Sequence, residues 1–228
     1  MTETHTPSPE PAADIKAVLF DYGGVLAGSP FDAFARHEQE RGLAPGFIRS
    51  LNATNPHDNA WARLERNELS FDEFCDAFEA EALAAGGRVD ARALFSLFSG
   101  ELRPAMVQAV RRCAEHFKVG LLTNNFVTPL AEMAGDDTRR RAVAELLSLF
   151  DVVIESSVVG IRKPDRRFYE MACTSLDVEP HQSVFLDDLG VNLKPARDMG
   201  MVTIKVVDPE VALAELQSVL GLAVRDPG

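Results

Sequence analysis

Between residues 104 and 222 the chain alternates helical and strand patterns, and no other feature constrains its fold as strongly. A helix opened by Pro104 carries Val107, Val110, Ala114 and Phe117, and residues 118–122 then read as a strand. A second helix, with Val143, Leu146, Leu147 and Phe150, leads into a strand at 152–154. Asp165 caps a third, bearing Phe168, Tyr169, Ala172 and Leu176, ahead of a strand at 183–186. Asn192 is expected to cap a short helix that Gly200 stops, and residues 202–207 form the last strand. Asp208 and Pro209 open a final helix with Leu213, Leu216 and Leu220 along one side. Repeated units of this kind produce a parallel sheet flanked by helices on both faces.

One further strand precedes this block. Ala17 to Leu26 reads AVLFDYGGVL, a short apolar run that ends on Asp21 and passes at once into Gly23 and Gly24. Such a run suits a strand buried on both faces, and an acid at its carboxyl end stands where open α/β sheets bind ligands. Residues 27–103 differ from everything after them, being helical in pattern with no convincing strand. Phe31 and Phe34 begin one helix, which Gly42 ends. Ser70 and Glu73 form a capping box before an apolar stripe of Phe71, Phe74, Cys75, Phe78 and Ala82, stopped by Gly86 and Gly87. Asp90 caps another helix with Leu94, Leu97 and Phe98. These aromatic stripes read as packing. The expected organisation is a disordered tail at 1–13, an α/β core domain from 14–26 and 104–222, a helical cap domain at 27–103, and a second tail at 223–228.

A formal charge of −12 argues against a nucleic-acid partner or an anionic membrane surface. Cys75, Cys113 and Cys173 are odd in number and widely spaced, as expected of reduced, mostly buried thiols in a cytoplasmic protein. Residues 1–13 lack the apolar segment of a signal peptide, and no run reaches transmembrane length.

In a parallel sheet the strand ends share one edge, so Asp21, Thr123 with Asn124 and Asn125, and the Asp187–Asp188 pair converge. Arg162-Lys163-Pro164 joins them from the loop after the third strand. Each alone is ordinary turn chemistry. Together they place three carboxylates, a hydroxyl, an amide and an ammonium around one crevice. Carboxylates so close repel one another unless a cation lies among them, and oxygen donors without His or Cys suit Mg²⁺. That arrangement suits phosphoryl transfer with one carboxylate as nucleophile.

The ordered segments FDYGGVL, LLTNNF, GIRKPDRRFYE and VFLDDLGVNLKPARDMGM resemble those of the haloacid dehalogenase-like hydrolases. The resemblance runs from Ile15 to Leu222, includes WARLERNELSFDEF in the insertion, and is closest to the phosphatase-type domain of soluble epoxide hydrolase and the similar domain fused to some acyl-CoA dehydrogenase-like proteins. It implies a Rossmann-like core with an inserted helical cap, and a Mg²⁺-dependent phosphatase acting on a small phosphorylated substrate, as a monomer or homodimer. Asp21 would be the nucleophile that becomes an aspartyl-phosphate. Gly24, Thr123, Asn124 and Lys163 would contact the phosphoryl group. Asp21, the Gly23 carbonyl and Asp188 would bind Mg²⁺, and Asp187 would orient Lys163 or a metal-bound water. The insertion would close over the site and set specificity.

The chain departs from the family pattern at Gly23, where phosphatases carry the aspartate that protonates the leaving group and activates water. Losing such a group costs about 10²–10⁴ in rate. The loss matters least for leaving groups that need little protonation, such as aryl or acyl phosphates. Two other functions compete with the phosphatase: a catalytically idle phosphate-binding module, and a 2-haloacid dehalogenase. The dehalogenase needs no metal, so the Asp187–Asp188 pair argues against it. None of the five histidines is expected in the cluster. Arg36, Arg63 and Arg66 are expected to face water, as is the run 139–141.

Overall fold

The computed structural model describes residues 14–98, 101–126 and 137–224. The expected tail at 1–13 and the last four residues of the expected tail at 223–228 lie outside that range. Five parallel strands form the sheet: β1 (Ala17–Phe20), β2 (Lys118–Thr123), β3 (Val152–Glu155), β4 (Ser183–Asp187) and β5 (Val202–Lys205). Their order is β3-β2-β1-β4-β5, so β1 is central. The chain winds one way from β1 to β3 and the other way through β4 and β5. The reversal falls beside β1, and open α/β sheets bind their ligands at the carboxyl edge of such a switch point.

β1 shows why this apolar run becomes a two-sided strand. Val18 and Phe20 pack into a cluster on one face, with Met106, Val110, Val143, Leu213 and Leu216. Ala17 and Leu19 pack into another on the opposite face, with Phe168, Tyr169, Leu176 and Leu193. Successive side chains point to opposite faces, so both must be apolar when helices cover both. The first face is covered by α6 (Pro104–Ala114), α7 (Asp137–Leu147) and α11 (Pro209–Leu220). The second is covered by α9 (Arg166–Leu176) and α10 (Gly190–Asp198). Among the described residues, no helix is long and apolar enough to cross a membrane.

Five helices stand between β1 and α6: α1 (Pro30–Arg41), α2 (Phe47–Ala53), α3 (Ala60–Glu65), α4 (Phe71–Ala84) and α5 (Ala91–Ser96). They enclose their own apolar cluster around Trp61, Phe74 and Phe78. The Ser70–Glu73 capping box and the Asp90 cap form as expected. The chain enters and leaves through paired linkers: Gly28 N–H donates to the Glu101 carbonyl and Arg103 N–H to the Leu26 carbonyl.

Several expectations are corrected. Asn192 does not cap α10; the helix begins at Gly190, and Asn192 is buried within its first turn. β5 stops at Lys205, leaving Val207 78% exposed beyond it. Phe71 is 38% exposed rather than part of the buried stripe. A one-turn helix, α8 (Ser156–Val159), follows β3 where no helix is expected from the pattern. All three cysteines are free and buried, and burial pushes the Cys113 thiol up to about 12.

Candidate active site

Asp21 follows the last residue of β1, and its backbone N–H continues the sheet by donating to the Leu186 carbonyl. The residue is 7% exposed. Oδ1 is held by the Tyr22 backbone N–H at 2.7 Å and by Lys163 Nζ at 2.8 Å. Oδ2 accepts no hydrogen bond among the described residues. One oxygen is therefore fixed while the other is free to react or to bind a cation.

Lys163, 1% exposed, lies between two acids, with Nζ 2.7 Å from Asp187 Oδ2 and 2.8 Å from Asp21 Oδ1. Burial alone would lower its pKa, but Asp187 and Asp21 together hold the ammonium above its usual range. Asp187 is fully buried and accepts from Lys163, from the Leu189 backbone N–H at 2.8 Å, and from Asn192 Nδ2 at 3.1 Å on each oxygen. With both oxygens occupied, Asp187 anchors the lysine and has no free lone pair aimed at a ligand.

Asp188 is different. Its carboxylate accepts no hydrogen bond from another described residue, and burial, with Asp187 next, raises its pKa to about 6. Asp21 is also raised well above the usual carboxylate range, chiefly by burial and then by Asp187 and Asp188, in spite of Lys163. Oxygens of Asp21, Asp187 and Asp188 lie within 4.8 Å of one another. Three carboxylates against one ammonium leave two negative charges uncompensated in a shielded pocket. A divalent cation with a preference for oxygen matches both the charge and the donor set.

The glycines serve unlike ends. Gly24 has φ +77°, and a Cβ built on it would fall inside the Asp188 carboxylate. Its N–H donates to the Gly28 carbonyl at 3.4 Å, and its carbonyl accepts from Arg103 Nη1 at 2.6 Å. Both backbone groups are thus engaged within the protein, and the residue makes room for Asp188. Gly24→Ala should lose more than the about 1–2 kcal/mol of left-handed strain, since Asp188 must also move. Urea melts of the variant measure this, and an unchanged midpoint would refute the close approach. Gly23 has no left-handed φ, and a Cβ there would meet only Pro30 Cδ at 3.6 Å. Its carbonyl accepts no hydrogen bond among the described residues.

Thr123 ends β2 at the same edge, 2% exposed, with no hydrogen-bond partner for its hydroxyl among the described residues. Asn124 follows Thr123 in the loop after β2. Its side-chain amide donates to the Lys163 carbonyl at 3.0 Å and accepts from the Lys163 N–H at 2.9 Å. The side chain is consumed in bracing the lysine, leaving its backbone N–H as its means of meeting a phosphoryl group.

Asn192 is the site residue that sequence reasoning missed, because an Asn four residues past an acidic pair reads as a helix cap. Its partner Asp187 lies five residues back and outside the helix, so no helical spacing marked the contact. Tyr169 supports it by donating from its hydroxyl to the Asn192 carbonyl at 2.7 Å. Of the arginines in the insertion, Arg36 is exposed, whereas Arg66 is hydrogen-bonded to Glu68 and Arg63 lies within ion-pair range of it. None of the four described histidines hydrogen-bonds to the cluster.

The sequence profile of the haloacid dehalogenase-like hydrolases matches residues 15–200. The chain is 33% identical over 220 residues to bifunctional epoxide hydrolase 2 of Sus scrofa, covering 91% of this chain and 39% of that protein. It is 34% identical over 212 residues to acyl-CoA dehydrogenase family member 10 of Mus musculus, covering 90% of this chain and 19% of that protein. It thus spans at most about two-fifths of those relatives. A sesquiterpene phosphatase of Aspergillus oryzae is 25% identical over 209 residues, covering 90% of this chain and 97% of its own. Among solved structures, a predicted HAD-like family hydrolase from Porphyromonas gingivalis has the same fold, with a TM-score of 0.63 and 19% identity over 91% of this chain and 98% of that one.

Proposed function

This chain belongs to the haloacid dehalogenase-like hydrolase family, and on that premise we propose that it is a Mg²⁺-dependent phosphatase working through an aspartyl-phosphate. The observation that carries the proposal is the division of labour between the two oxygens of Asp21. Oδ1 is pinned by Tyr22 N–H and Lys163, and Oδ2 has no partner among the described residues. The full-length similarity to a phosphatase from Aspergillus oryzae supports the same reading.

Asp21 Oδ2 attacks phosphorus, the ester P–O bond breaks, and the leaving oxygen takes its electron pair. No side chain at position 23 protonates that oxygen, so water must, and substrates with acidic leaving groups are favoured. Water then attacks the phosphorus of the aspartyl-phosphate, releasing inorganic phosphate and restoring the carboxylate. Lys163 neutralises charge on the phosphoryl oxygens while its bond to Asp187 fixes its position. The Thr123 hydroxyl and the Asn124 backbone N–H offer hydrogen bonds to the same oxygens. Asp21, Asp188 and the Gly23 carbonyl would hold Mg²⁺, which when bound supplies positive charge at the phosphoryl group. The helical insertion acts as a cap that excludes water. Three free, buried thiols support a cytoplasmic location.

p-Nitrophenyl phosphate has an acidic leaving group and is the substrate of choice for the test. Hydrolysis that requires Mg²⁺ and stops on chelation is expected. Absence of turnover, with Mg²⁺ still bound, would favour the idle phosphate-binding module.

The metal requirement carries a pH signature. Because the folded-state pKa of Asp188 is raised to about 6, its contribution to metal-free stability is fully present at low pH and is lost as pH rises through 6. Mg²⁺ needs the ionised form, so its stabilisation runs the other way. Thermal melts should therefore show a larger Mg²⁺-induced rise in Tm at pH 7.5 than at pH 5. Asp188→Asn should flatten that difference; an unaltered difference would remove Asp188 from the metal site.

A further inference from the structure

Arg162 precedes Lys163 in the loop after β3, and its side chain leaves the core for the insertion. Nη1 donates to the Pro56 carbonyl at 3.0 Å, and Nε lies 2.5 Å from Glu65 Oε2. The two side chains are 22% and 8% exposed. Neither Arg162 Nε nor Glu65 Oε2 has an aligned hydrogen bond, and both atoms are shielded from water, so charge alone joins them. The other Glu65 oxygen accepts from Trp61 Nε1 at 2.9 Å. The Trp61 ring packs on Phe126, centroids 5.7 Å apart, three residues beyond Thr123. One turn of α3 therefore touches both loops that bring groups to the site: the Lys163 loop through Glu65 and the Thr123 loop through Trp61.

A buried ion pair adds little to net stability, because desolvation offsets most of the attraction, yet removing one partner leaves an uncompensated charge. The pair thus discriminates between two arrangements. With the insertion seated, both charges are matched; with it lifted, both return to water and the backbone ahead of Lys163 loses its tether. Lys163 is itself held at Nζ by Asp21 and Asp187 and along its backbone by Asn124, and the Arg162 tether fixes the residue immediately ahead of it. We propose that Arg162 is a positioning residue that couples seating of the helical insertion to placement of Lys163, with Glu65 as its partner. The kinetic part of this inference rests on the phosphatase reading; the conformational part does not.

The test uses Arg162→Met, Glu65→Gln and the double variant of the full chain. Trp61 is the sole tryptophan, so its fluorescence reports the clamp directly. Each single variant should leave an unpaired charge that draws water in and raises acrylamide quenching of Trp61. Each should also lower kcat/KM for p-nitrophenyl phosphate about tenfold, the size of a coupling between groups in contact. Calorimetric affinity for inorganic phosphate in the presence of Mg²⁺ should fall in the same order. The double variant should be no worse than either single one, because no lone charge remains. Glu65→Gln changes no shape, so it keeps the test valid if Arg162→Met fails to fold. Losses that multiply in the double variant, or increased quenching with unaltered kcat/KM and phosphate affinity, would overturn the proposal. A protein that hydrolyses no phosphomonoester but keeps the quenching and phosphate-affinity pattern would sink the phosphatase reading and uphold the clamp.

Discussion

Asp21→Asn is expected to abolish phosphomonoester hydrolysis while raising the Tm of the metal-free protein. The kinetic loss should reach at least about 10⁴, the scale set by removing a covalent nucleophile. The amide is nearly the same shape, so Tyr22 N–H and Lys163 can still meet its oxygen. Stability should move the opposite way because of the charge balance. Asp21, Asp187 and Asp188 outnumber Lys163, and burial holds the Asp21 pKa well above normal, so its ionised form is costly at neutral pH. Deleting one partner of a buried pair usually destabilises. Here Lys163 keeps Asp187 at 2.7 Å, and the substitution relieves repulsion instead of stranding a cation. Calorimetric melts in chelator, beside a kinetic assay, check both signs at once. Residual turnover near the wild-type level would dismiss Asp21 as the nucleophile.

Gly23→Asp is expected to accelerate hydrolysis of simple alkyl phosphates by about 10²–10⁴, the usual contribution of a positioned general acid–base. The gain for p-nitrophenyl phosphate should be much smaller, since its leaving group barely needs a proton. Backbone geometry permits the change: φ at Gly23 is outside the left-handed region, and the new Cβ meets only Pro30 Cδ at 3.6 Å. Glycine at this position is therefore not imposed by the turn, in contrast to Gly24. A fourth carboxylate would add to the existing repulsion, so the metal-free variant should melt lower than wild type and depend more on Mg²⁺. Gly23→Asn, which fills the same space without a proton to give, should show no gain. Equal acceleration of alkyl and aryl esters, or by Asn and Asp alike, would mean that position 23 acts by packing and not by proton transfer.

The strand-end residues were legible because a parallel sheet brings successive carboxyl ends to one edge, whatever the loops between them do. Apolar runs at 17–20, 118–122 and 183–186 were enough to infer that edge, and with it the meeting of Asp21, Thr123 and the Asp187–Asp188 pair. The insertion was recognisable as helical from its Ser70–Glu73 capping box, its Asp90 cap and its apolar stripes. Local periodicity failed where a polar side chain had two equally ordinary uses. Asn192 suits a helix cap as well as it suits the Asp187 carboxylate. Asn124 suits a phosphoryl ligand as well as it suits the Lys163 backbone, and no spacing along the chain distinguishes them.

By itself the sequence determined where the five strands fall, the helical character of the insertion, and the edge where the acids gather. Tertiary structure alone decided which of those groups are already engaged: Asp187 by Lys163 and Asn192, Gly24 by Arg103, and Arg162 by Glu65 and Pro56. Apart from Asn192, five residues from Asp187, these partners lie far along the chain, 24 residues apart for Lys163 and Asp187, 79 for Gly24 and Arg103 and 106 for Pro56 and Arg162. Secondary-structure periods report what a residue does to its neighbours within one or two turns. Hydrogen bonds and ion pairs between distant loops depend on how helices pack on the sheet, and that is settled only when the whole core has closed.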